Sequence, residues 1–141
     1  MSTCSNLTAS YVSKIADIEF FQGDTIVLPF KFLDSDGNVI PVRQSDYFCW
    51  YLCPYGQYDM PVLVLDSRTD TENIWRDTSL NIYYVKITIN QTKYLDYGKY
   101  THQPVLFANS GEAVERFQRA EGTIILKRKI AELTSGGRLN I

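Results

Sequence analysis

Turn-forming residues cut this chain into short apolar segments, and that spacing constrains the fold more than any other feature of the sequence. Gln22-Gly23-Asp24, Asp34-Ser35-Asp36-Gly37-Asn38, Pro54-Tyr55-Gly56 and Asn109-Ser110-Gly111 punctuate it. Between them, residues alternate. Ile26, Leu28, Phe30 and Phe32 share one face at period two, as do Tyr83, Val85, Ile87 and Ile89. That period belongs to strands with one buried face. No segment keeps a helical period beyond two turns, and residues 111–120 are the one short helical candidate. Seven to eight strands at roughly 8–12-residue spacing predict an all-β, antiparallel β-sandwich.

Length and composition fit that expectation. The chain has 141 residues, 45% of them hydrophobic, enough to bury a core without a disulfide or a metal. Ten Tyr, seven Phe and two Trp favour strands. The segmentation places a flexible arm at 1–14, one sandwich domain at 15–130 and a tail at 131–141. Within the domain, 25–33 reads as a strand whose Pro29 belongs at a sheet edge. Residues 39–42 read as a brief return strand. Residues 47–53 are apolar on both faces, as in a central strand covered on both sides. Residues 108–119 read as a polar connection.

The same features exclude several function classes. A net charge of -2 argues against a bulk electrostatic nucleic-acid binder. No apolar run approaches the ~20 residues needed to span a bilayer, and the N-terminus lacks a signal peptide. The expectation is synthesis in the cytoplasm, with reduced thiols and no membrane partner. Cys49 and Cys53, four apart in one strand, would be ~13 Å apart, beyond disulfide reach. His102 is the single His, which leaves no two-His metal site and no readable nucleophile–base pair. The predicted protein is no enzyme, with no cofactor and no small-molecule substrate. Asp34-Ser35-Asp36-Gly37-Asn38 resembles the start of a calcium loop, but its twelfth position is Ser45 rather than Glu. Asp36 and Gly37 are therefore read as hairpin-turn residues. Lys127-Arg128-Lys129 reads as edge-strand charge. Tyr55, Tyr58 and Met60, between Pro54 and Pro61, form an aromatic loop. It suits a protein interface, a sugar-stacking surface or a minor core.

Leu95-Asp96-Tyr97-Gly98-Lys99-Tyr100 follows one strand and opens another, and it resembles the tyrosine corner of immunoglobulin-like sandwiches. In that resemblance the Tyr100 hydroxyl bonds the preceding corner, and Trp50 fills the inter-sheet core. His102 stands where a disulfide-bonded domain has its second Cys, so the implied sandwich has no disulfide. Residues 21–38, Tyr97-Gly98-Lys99-Tyr100 and Glu121-Gly122-Thr123-Ile124-Ile125-Leu126 together resemble the immunoglobulin-like domains of tailed-phage structural proteins. They are similar in particular to the N-terminal domain of siphophage baseplate upper proteins. The resemblance implies a non-catalytic tail or baseplate protein of a phage or prophage virion. It would form a homo-oligomer and bind other virion proteins. The alternative is a carbohydrate-binding module that attaches a particle or enzyme to a cell surface.

Overall fold

The computed structural model describes residues 12–14, 17–34, 36–110 and 113–128. They form β1 (Val12–Lys14), β2 (Ile18–Phe21), β3 (Ile26–Phe30), β4 (Tyr47–Pro54), β5 (Leu63–Asp66), β6 (Ile74–Asp77) and β7 (Ile82–Ile87). A one-turn helix, α1 (Ile89–Thr92), precedes β8 (Gly98–Ser110) and β9 (Ala113–Lys127). The protein is all-β, with nine strands among the described residues. The last three residues of the expected arm are β1; residues 1–11 and the expected tail at 131–141 lie outside the described residues.

The strands form two sheets. The larger has the order β1-β9-β8-β4-β5, with β2 also paired to β9. Both β1 and β2 run parallel to β9, at Val12↔Arg119 and Ile18↔Ile124 respectively, so the larger sheet is mixed rather than antiparallel as expected. The smaller has the order β3-β7-β6 and is antiparallel throughout. The alternation seen in the sequence decides which faces meet. Leu28 and Phe30 of β3 and Tyr83, Val85 and Ile87 of β7 are buried, as are Phe48, Trp50 and Leu52 of β4. Phe48 stacks on Tyr83 at 5.1 Å across the gap and lies 5.7 Å from Phe30. Burying each such side chain contributes about 1.5–3 kcal/mol, so this interdigitated layer is the main source of stability.

Pro29 lies on β3, an outer strand of the smaller sheet, where its missing N–H disrupts no second ladder. β4 lies between β8 and β5, and its residues are buried on both faces, as the apolar run from Tyr47 to Cys53 predicted. Cys49 and Cys53 are buried free thiols.

Four local expectations are corrected. Residues 108–110 and 113–119 are strand rather than connection, and the helical candidate lies largely within β9: the β8–β9 hairpin is paired as far as Ser110↔Ala113. Its polar residues hide it from a hydrophobicity pattern, but backbone pairing needs no apolar side chain. Leu106 opposes Gln118 while Phe107 opposes Arg116, so Phe117 is the extra residue of a β-bulge. Residues 39–42 make only one bridge, Leu33↔Val39, although Ile40 and Val42 are still buried. Ile89 leaves the strand period at α1 and is exposed. Of the Lys127-Arg128-Lys129 run, Lys129 lies outside the described residues, and Lys127 does not mark a sheet edge, because β9 is flanked by β8 and β2. Its ammonium instead pairs with Glu19 at 2.7 Å.

Candidate interaction surface

Tyr100, Trp50 and His102, three of the residues singled out in the sequence, are buried. Tyr100 is buried at the start of β8, and its hydroxyl donates to the Asp96 carbonyl at 2.5 Å. Trp50 and His102 are both fully buried, and the indole Nε1–H donates to His102 Nδ1 at 3.1 Å. That bond fixes the neutral ring with its proton on Nε2. Burial drives the His102 pKa down to about 4, against an opposing pull from Asp17. The imidazole thus lies in the core with Nδ1 bonded to Trp50, while its Nε2 has no partner among the described residues.

In the 34–38 turn the organising side chain is Asp34, the first residue of the run that the sequence marks as a turn. Its Oδ1 accepts from the backbone N–H groups of Asp36 and Asn38, both at 2.9 Å. Gly37 takes φ +86°, the left-handed conformation that favours glycine. Asp36 contributes its backbone and leaves its exposed carboxylate in solvent.

The aromatic loop has a different character. Residues 54–60 lie over the outer face of the larger sheet, away from the inter-sheet core. The Gly56 N–H donates to Thr101 Oγ1 at 3.3 Å, and the Cys53 thiol donates to the Tyr58 carbonyl at 3.7 Å. The Tyr58 hydroxyl reaches Glu121 at 3.5 Å, and Lys99 stands 4.8 Å over the Tyr55 ring. The loop backbone thus covers the outward-facing Cys53 thiol, whose pKa burial raises. The side chains do not fold inward with it. Tyr55 is 56% exposed, Tyr58 50% and Met60 63%.

These three continue into a wider apolar surface. Val62 and Val64 are exposed on the adjoining segment and strand β5. A cleft of about 250 Å³ opens beside them, lined by Tyr51, Tyr58, Asp59, Pro61, Gln103, Val105 and Phe107. Register explains the gathering: Tyr51 pairs with Gln103, Cys49 with Val105 and Tyr47 with Phe107, so one face of two neighbouring strands brings together Tyr47, Tyr51, Val105 and Phe107 with Cys49 and Gln103. At its end Tyr47 and Phe107 stack at 4.7 Å, with the Arg68 guanidinium 3.6 Å over Tyr47. Arg68 is held there by Asp66 at 2.7 Å, and its hydrogen bonds hold the Asp66 carboxyl below the usual carboxylate range.

The aromatic loop is visible in the sequence, while the sheet face beneath it is not. Tyr51, Val105 and Phe107 look like core positions of apolar strands, and only the pairing register turns them outward together. Among the described residues, no group of three or more His, Cys, Asp or Glu side chains is gathered as metal ligands. No protein-family model matches the chain, and no curated protein matches it in sequence.

Proposed function

We propose that the protein is a non-catalytic assembly module with an immunoglobulin-like sandwich fold, and that it works by docking the outer face of its larger sheet onto protein. The observation that carries this reading is the continuous exposed surface of Tyr55, Tyr58, Met60, Val62 and Val64 beside the Tyr51–Phe107 cleft. Aromatic residues and Met are the anchors that interface cores favour. Several features support the finer fold assignment. These are the Tyr100 corner bond, the buried Trp50 on a central strand, and β2 parallel to β9 beside a separate β3-β7-β6 sheet. The resemblance to tailed-phage structural domains makes a virion tail or baseplate the setting we favour. Repeated copies would then close into a ring through one heterologous contact.

Light scattering of the pure protein over a concentration series tests the docking claim, with thermal unfolding as a control. The expected result is self-association that Tyr58→Ala and Tyr55→Ala weaken without loss of cooperative unfolding. A wild type that stays monomeric, alone and with candidate virion proteins, would remove the proposal.

A further inference from the structure

The exposed Trp of this chain lies on the opposite sheet. Trp75, on β6, is 41% exposed and is backed by Tyr84 of β7, stacked at 5.4 Å and 20°. The two are a cross-strand pair, Trp75↔Tyr84, and Pro29↔Tyr84 continues the row onto β3. Such backing holds the indole in one orientation, which lowers the entropy lost on ligand binding. β6 is an outer strand of its sheet, and along it runs a cleft of about 440 Å³ lined by Ile74, Trp75, Arg76, Gln44, Ser67, Thr71 and Thr78.

The lining is unlike that of the Tyr58 surface. It combines one aromatic wall and the aliphatic Ile74 with neutral hydrogen-bonding groups and a single cation, and none of its lining side chains is a carboxylate. The Arg76 guanidinium is fixed from behind, donating from Nη2 to the Asp46 carbonyl at 2.9 Å and from Nη1 to Gln44 Oε1 at 3.4 Å. Its contact turns the Gln44 amide so that the NH2 donors are left for a ligand. Arg76 Nε is buried with no acceptor among the described residues, and so is the Asp46 Oδ2 oxygen without a donor. The Thr71 and Thr78 hydroxyls also make no hydrogen bond among the described residues. The Gln44, Thr71 and Thr78 side chains are exposed, so their free hydrogen-bonding groups, and not the buried Arg76 Nε and Asp46 Oδ2, are what a polar ligand entering the cleft would meet.

We infer that this cleft binds a hexopyranose unit of a polysaccharide, its axial C–H face laid on the Trp75 indole. The electron-rich ring face attracts the weakly positive C–H groups. The equatorial hydroxyls then meet Gln44, Thr71 and Thr78, with Arg76 as a donor to a ring or hydroxyl oxygen. A peptide would fit less well, because extending the sheet from β6 uses backbone groups and leaves the hydroxyl-lined wall unmatched. The site is separate from the Tyr58 surface and does not rest on the assembly reading.

The chain has two Trp residues, and Trp50 is buried, so iodide quenching of fluorescence reads Trp75. The probes are soluble hexasaccharides of glucose, N-acetylglucosamine, mannose and galactose. At least one should bind saturably and protect Trp75 from iodide. Trp75→Ala should weaken that binding by roughly tenfold or more, and Thr78→Val should weaken it less, with unfolding temperature unchanged. Tyr58→Ala should leave it intact. The inference is overturned if no probe binds at millimolar concentration, or if affinity survives Trp75→Ala or Thr78→Val. It is equally overturned if Tyr58→Ala costs as much as Trp75→Ala. Should Trp75→Ala fail to fold, iodide protection in the wild type and the Thr78→Val affinity decide the matter.

Discussion

Tyr100 closes the corner before β8 by donating its hydroxyl to the Asp96 carbonyl, and its ring is buried in the core. Tyr100→Phe keeps the ring and removes the bond. The expected cost is about 1 kcal/mol, read as a lower urea midpoint with an unchanged slope. His102 gives the fold a pH dependence. Its pKa falls from 6.5 in the unfolded chain to about 4 in the folded one, so the unfolded state binds more protons between those values. Stability from this group is therefore complete above pH 6.5 and is lost as pH falls towards about 4. The loss approaches about 3 kcal/mol, since each tenfold difference in proton affinity between the two states is worth about 1.4 kcal/mol. Urea unfolding of wild type and His102→Gln at pH 7 and pH 4.5 should show a smaller pH effect in the variant, whose amide oxygen can still accept from Trp50. Equal pH dependence in both proteins would assign the acid sensitivity to other groups.

At the scale of elements, α1 is short, and its ends decide whether it forms at all. Thr88 Oγ1 accepts from the Asn90 N–H at 3.1 Å, while Gln91 Oε1 accepts from the Thr88 N–H at 2.8 Å. Those reciprocal bonds make a capping box. Thr88→Ala should cost about 1 kcal/mol, measurable in the same denaturation experiment. The turn and the alternating strands are legible in the sequence because both leave local marks. Ile26 to Phe32 shows its buried face directly, and Asp36-Gly37 announces a turn. The N-terminal half of β9 is not legible, because it pairs through its backbone and carries Glu115, Arg116 and Gln118. The role of Lys127 is hidden for a related reason. Whether a strand is an edge depends on a partner far away in the chain, here β2, about a hundred residues earlier.

The whole molecule presents two unlike surfaces on opposite sheets, one apolar and aromatic, one polar with a single indole. Of these, the sequence shows the Tyr55–Met60 loop, since closely spaced aromatics between two prolines stand out. It does not show Trp75, because two adjacent apolar residues, Ile74 and Trp75, in a four-residue strand carry no alternation. Nor does it show that Tyr51, Val105 and Phe107 share the outer face, which is a property of the β4–β8 register. The central claim is that the protein functions by docking the outer face of its larger sheet. Hydrogen exchange of the pure protein, compared at dilute and concentrated conditions, tests it most directly. The account predicts that amides in 54–66 exchange more slowly in the concentrated sample while those of β6 and β7 are unchanged. Slowing confined to β6 and β7, or no dependence on concentration with or without a virion partner, would contradict it.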